Sequence, residues 1–261
     1  MDHARPGGVP DGEHVPGPPV RAPGLGDRVE RVDPAERKRV FLELTALWLV
    51  TLLLIRGAVA AQAAGLPEWT LAAVPFLFIY APVLLCRWRG VDSYAYRIAI
   101  PAFSDLPAWK DGFYEAGKVV AVILVPWLVG YHLYQSVLFG LSPEWRVPKD
   151  WALLVPYHLF FVAIPEEFFY RGYFQTRLNE VFPRKFLIFG VPIGWGLVLA
   201  SLFFAFGHSL VVVRWWHFAT FFPGLLFGWL RERTGQPLAG ALLHAWANVT
   251  VTCLDTFYRV I

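Results

Sequence analysis

Long apolar runs broken by short polar joints dominate this chain from about residue 40 onward. A run of roughly 17–25 apolar residues is long enough to cross a bilayer as a helix. Seven runs meet that description: about 40–61, 67–86, 119–140, 151–171, 186–208, 213–230 and 237–257. The segment 87–118 mixes charge with aromatic residues and reads as an interfacial or loop segment. Residues 1–36 carry Pro, Gly and charge without apolar periodicity, so a disordered cytoplasmic tail is expected there. The first long apolar run is too long for a signal-peptide core. The expected fold is all-α, a polytopic membrane bundle of about seven or eight helices. Residues 37–150 would form N-terminal membrane helices, and 151–261 a catalytic core.

Composition agrees with that pattern. The chain has 261 residues, 56% of them hydrophobic, and a mean hydropathy of +0.46. Soluble domains hold about 45–50% apolar residues. Twelve Trp, ten Tyr and 22 Phe suit aromatic belts at two membrane faces. The net charge of +3 matters less than where the cations fall. With the N-terminus inside, the inner joints hold Arg28, Arg31, Arg37, Lys38, Arg39, Arg87, Arg89, Arg97, Lys110, Lys118, Arg171, Arg177, Arg184, Lys185, Arg231 and Arg233. The outer joints and C-terminus hold Arg146, Lys149, Arg214 and Arg259. That asymmetry predicts a cytoplasmic N-terminus in a multi-pass protein. High Ala and Arg with little Lys point to a bacterial inner membrane. Cys86 and Cys253 form no metal-type pair and no disulfide framework. No feature points to nucleic acid.

Charge inside the apolar runs is the exception that carries information. Ionised groups at membrane depth are costly, and they usually pair or serve function. Pro165-Glu166-Glu167-Phe168-Phe169-Tyr170-Arg171 puts two carboxylates and a guanidinium in one such run. Glu167 and Arg171 are four apart, share a helix face and can pair. Glu166 points elsewhere and stays free for chemistry. Pro165 cannot donate a backbone bond and loosens the helix there. His208 closes a later apolar run, and His244 and Asn248 lie one turn apart in the last. An acid, two imidazoles and an amide on three helices suit hydrolysis by an activated water. A buried carboxylate becomes a better base near neutral pH. A histidine can help hold or deprotonate the water. Hydrogen-bond donors aimed at the developing oxyanion are worth about 3–4 kcal/mol each.

The pattern resembles the CPBP family of intramembrane glutamic endopeptidases, which includes the CAAX prenyl protease type. Its three motifs stand here in order as Glu166-Glu167-Phe168-Phe169-Tyr170-Arg171, Phe204-Ala205-Phe206-Gly207-His208 and His244-Ala245-Trp246-Ala247-Asn248. The likeness covers 151–257. It implies that Glu166 and His208 activate the water, that His244 and Asn248 form the oxyanion site, and that Glu167 and Arg171 hold the first motif in place. No cofactor is implied. A zinc held by Glu166, His208 and His244 is the weaker alternative, since no His-Glu-x-x-His motif is present. The expected partners are the bilayer and a membrane protein, lipidated protein or peptide as substrate. A protein with a C-terminal membrane tail is preferred. A proton-coupled carrier and a non-catalytic scaffold remain readings from other classes.

One conflict stands at this point. Simple alternation of seven spans puts Glu166 and His244 toward the cytoplasmic side and His208 at the far end of its run. Pro192, Gly194 and Gly196 break 186–196. An interfacial 186–196, with the true span starting later, is the favoured resolution.

Overall fold

A computed structural model of the chain describes residues 32–211 and 213–260. Almost all of the expected tail therefore lies outside the described residues. Helix α1 (Pro34–Ala63) starts within its last residues, where the Asp33 carboxylate accepts from the Ala35 N–H at 2.9 Å. A 3₁₀ turn (Glu68–Ala72) leads into α2 (Ala73–Trp88). Helix α3 (Leu106–Leu133) runs on into a π turn (Tyr134–Leu138). It starts thirteen residues earlier than its apolar run, because Asp105 caps it and Pro107 suits a first turn. Lys110, Asp111, Glu115 and Lys118 had masked that start.

The long helix α4 (Trp151–Val181) is a composite. Its α-helical pieces Trp151–Pro156, Ile164–Glu167 and Gln175–Val181 are separated by π segments Tyr157–Ala163 and Phe168–Phe174. It continues ten residues past Arg171 because that residue is an interior ion-pair partner rather than a boundary.

The run 186–208 is not one span. Strands β1 (Arg184–Ile188) and β2 (Val191–Gly194) pair antiparallel as a hairpin, and α5 (Trp195–Val211) begins after them. Phe189 and Gly190 both take positive φ, 50° and 75°, as a two-residue hairpin turn requires. The favoured start of the span after 196 is thus nearly met, at Trp195. A 3₁₀ segment (Trp215–Thr220), α6 (Phe221–Thr234) and α7 (Leu238–Phe257) complete the chain.

Among the described residues four helical stretches are long and apolar enough to cross a membrane: Pro34–Ala63, Trp69–Trp88, Leu106–Leu138 and Trp151–Val181. Trp195–Val211 is a shorter apolar helix. The bundle is therefore all-α in its body and membrane-embedded. The outward face is apolar, with Leu53, Val122 and Leu153 each at least 66% exposed. The inward face holds the polar groups. Helix α7 packs on α3, α6 and the first π segment of α4, while α5 packs on α1, α6 and the end of α4. Phe169, Tyr173, Phe174 and Phe204 are buried at the centre.

Candidate active site

Glu166 and Glu167 occupy the short α-helical piece between the two π segments of α4. Pro165 lacks the N–H that would serve the Phe161 carbonyl four residues back. A π turn moves that bond to the next donor, and such turns recur at functional sites. The two carboxylates therefore sit where the helix is widened on both sides.

Glu167 is fully buried and faces inward. Its Oε2 accepts from Arg171 Nε at 3.1 Å, and both side chains are fully buried. Arg171 also donates to Ser201 Oγ at 3.2 Å and lies over the Phe204 ring, 5.2 Å from its centroid. The other Glu167 oxygen, Oε1, is 3.2 Å from His244 Nδ1. His244 stacks on Phe227 at 4.8 Å and meets the Phe204 edge at 5.7 Å. Gly240, one turn before His244, leaves room for this: a Cβ there would stand 3.2 Å from Glu167 Oε2 and from the Phe227 carbonyl.

Glu166 Oε2 is buried and takes no hydrogen bond from the described residues. It lies 3.8 Å from His208 Nε2 and 3.9 Å from His244 Nε2. Both separations exceed direct hydrogen-bond length and match a bridge through one water. His208 Nδ1 sits 3.0 Å from the Phe204 carbonyl, which only accepts. In neutral His208 the proton is therefore on Nδ1, and Nε2 presents a lone pair toward Glu166. The Glu167 carboxylate sets the same tautomer in neutral His244. Phe204, 4.3 Å from the His208 ring, packs behind both imidazoles.

The structure thus brings together Glu166, His208, His244, Glu167 and Arg171. Asn248 stands one turn beyond His244, half-buried, and its side chain makes no hydrogen bond among the described residues. His158 lies 3.4 Å from Thr252 on α7. Among the described residues no three His, Cys, Asp or Glu side chains gather in a metal-holding group.

The position of His208 also resolves. Arg56, seven residues before the end of α1, donates to the Leu210 carbonyl at 2.5 Å. That cation closes the C-terminus of α5 against the bundle. A short helix that begins after a hairpin and ends at Arg56 places His208 level with the middle of α4. No full span is needed.

Three contributors came from outside the expected set. Trp48 on α1 donates from Nε1 to the Phe203 carbonyl at 2.9 Å. Ser201 holds Arg171. Tyr170 turns its hydroxyl to Gly207, where a Cβ would meet it at 2.8 Å. A buried Ser in an apolar run and a Tyr inside the first motif were readable signals, whereas nothing local marks Trp48.

A cavity of about 380 Å³ opens beside Glu166 and His208. Its walls are Trp48, Leu52 and Ile55 of α1, Val74 and Phe78 of α2, and Phe161 and Tyr170 of α4, among others.

Residues 148–250 match the family model described as type II CAAX prenyl endopeptidase, Rce1-like. That segment is similar to the CAAX-protease family. No curated protein and no solved structure matches the chain. The matched segment includes Glu166, His208, His244 and Asn248, together with α4, the hairpin, α5 and α6. The match supports a peptide hydrolase of the CAAX-protease type in general terms. Helices α1, α2 and α3 lie outside the matched segment.

Proposed function

We propose that the chain cleaves a peptide bond near or within the bilayer by the glutamic mechanism, with water activated by Glu166 and His208. The observation that carries this reading is the unpartnered Glu166 Oε2, within 3.8–3.9 Å of two imidazole Nε2 atoms. A water held between them is polarised by the carboxylate and the His208 lone pair. Its oxygen adds to the substrate carbonyl carbon, and its proton passes to Glu166 or His208. His244, protonated and steadied by Glu167, donates from Nε2 to the oxyanion. Asn248, one turn on, lies on the same side for a second donor. Collapse of the tetrahedral species breaks the C–N bond, and the stored proton goes to the leaving amine. Arg171 neutralises Glu167 and fixes it on His244. No step is routed through a metal.

The proposed substrate is a protein with a C-terminal or membrane-embedded tail, reached from the bilayer. The proposed setting is a bacterial inner membrane with the N-terminus in the cytoplasm. The test compares membrane and secreted protein termini in cells carrying wild type, Glu166→Ala and a deletion. A shared set of proteins should keep an uncleaved tail in both the mutant and the deletion. Normal processing in Glu166→Ala cells, with the variant folded in the membrane, overturns the mechanism.

A further inference from the structure

The first helix presents one face to the cavity beside Glu166. Trp48, Thr51, Leu52, Ile55 and Val59 follow helical spacing on α1 and all line it. Their neighbours Leu53 and Leu54 face outward, 67% and 54% exposed. The face is apolar except at Thr51. That residue is only 3% exposed, and its Oγ1 is buried without a hydrogen-bond partner. A helical threonine in apolar surroundings ordinarily returns its hydroxyl to the carbonyl four residues back. Thr45 on the same helix does so, bonding Phe41 O at 2.7 Å. Thr51 does not, and its hydroxyl is left for something that enters the cavity. A buried polar group without a partner is uncommon in folded proteins and asks for a reason.

The other polar groups on the cavity wall are Glu166, Tyr170, His208, His217 and Tyr157, besides the Trp48 N–H already bonded to Phe203 O. The first three gather at the catalytic end. The rest of the lining is aliphatic or aromatic. A peptide whose scissile carbonyl lies at Glu166 would place the adjoining residue against α1. Its side chain would meet Leu52, Ile55, Val74 and Phe78. Its backbone would pass Thr51, which has both a donor and two acceptor lone pairs to offer.

We propose that the α1 face forms the substrate's apolar side-chain subsite next to the cleaved bond, and that Thr51 is a positioning residue that hydrogen-bonds the substrate backbone there. This rests on the hydrolase reading of the site. It assigns part of substrate recognition to a helix outside the family-matched segment. It also accounts for Trp48, whose bond to Phe203 O pins α1 to α5 one turn from Thr51.

The test uses the full chain in proteoliposomes with a randomised twelve-residue peptide library, products being read by mass spectrometry. Wild type should cut beside one position enriched in large aliphatic or aromatic residues. On the best single peptide, Thr51→Val should raise KM roughly five- to ten-fold with kcat nearly unchanged, the equivalent of one neutral hydrogen bond. Thr51→Ser should restore KM, which a packing role for the threonine methyl would not do. Ile55→Phe, which fills the cavity, should shift the enrichment toward smaller side chains. Cleavage without apolar enrichment, or a Thr51→Val variant equal to wild type, overturns the subsite. A library left wholly intact by wild type, or cleavage that persists in Glu166→Ala, instead overturns the hydrolase reading, so the two failures are distinct.

Discussion

Arg171 is a fully buried cation whose partners are all side chains of the same site: the Glu167 carboxylate, the Ser201 hydroxyl and the Phe204 ring. A buried pair is poor evidence of net stability, because desolvation opposes the attraction. Breaking one is another matter, since an uncompensated charge is left in a dry interior. Arg171→Met should therefore cost about 3–5 kcal/mol in detergent-solubilised protein, read from denaturant titration of the folded fraction. The double variant Arg171→Met with Glu167→Gln removes both charges and should recover most of that loss. It should not recover activity, because the carboxylate that faces His244 Nδ1 would be replaced by a neutral amide that no longer orients the ring in the same way. Equal destabilisation in the single and double variants would show that packing rather than charge explains the loss.

At the scale of elements, α4 carries the argument. Its two π segments flank the acids, and Pro165 stands at the junction. Pro165→Ala restores a donor to the Phe161 carbonyl and removes the ring clash that disfavours helix. The first π segment should then rewind toward α geometry, which rotates Glu166 relative to everything upstream. Stability should rise or hold, while peptide hydrolysis falls at least about ten-fold, the effect of a sub-ångström to 1 Å misplacement in a preorganised site. A thermal melt and a cleavage assay on the same preparation would separate the two effects. Unchanged cleavage would mean that the π segment does not set the acid's position.

The same helix shows how much could be read in advance. The acids, the Glu167–Arg171 pairing and the loosened turn at Pro165 follow from residue type and spacing. His208 and His244 stood out because imidazoles are rare inside apolar runs. The hairpin did not, because Lys185-Phe186-Leu187-Ile188-Phe189-Gly190-Val191-Pro192 is as apolar as a span, and only Gly190 and Pro192 break it. Trp48, Thr51 and Arg56 could not be placed either, since each acts on partners about 155 residues away or on a cavity made by three helices. Long-range partners of that kind leave no local pattern.

For the whole molecule the decisive feature is that the charged networks gather at one end of the bundle. Arg177 pairs with Glu43 and Glu180, and Tyr96 links Arg89 to Glu180. The Tyr96 hydroxyl, buried and donating to Glu180, is pushed up to about 12. Arg184 and Arg231 hold Glu232, and Arg233 and Lys118 hold Glu115. These residues come from α1, α3, α4, α6 and the joints after α2 and α4. They make a basic collar at one end. At the opposite end, Tyr131 bonds Asp255, His132 bonds Tyr258, and Glu144 is held by Arg259. That end is poorer in cations, and the asymmetry is the observation that supports the proposed cytoplasmic placement of the collar.

The collar also ties α1 to the family-matched core through Glu43, while Trp48 and Arg56 tie it further along. The core should therefore not stand without α1. A fragment of residues 148–261 would expose Phe203, which packs on Phe41 and Trp48, and the open C-terminus of α5, and would lose Val40, Leu44, Leu52 and Ile55 from the packed interior. Burial of each such side chain is worth about 1.5–3 kcal/mol. We expect that fragment to aggregate or be degraded on expression, and to be rescued by residues 32–147 supplied as a second chain. Cysteine accessibility in spheroplasts checks both points at once. Positions in the collar, such as Arg184→Cys, should label only after the membrane is opened, and Glu144→Cys should label before. A fragment of 148–261 that folds and cleaves alone would show that the α1 contacts are dispensable. Collar labelling from outside would invert the assigned orientation while leaving the site geometry as described.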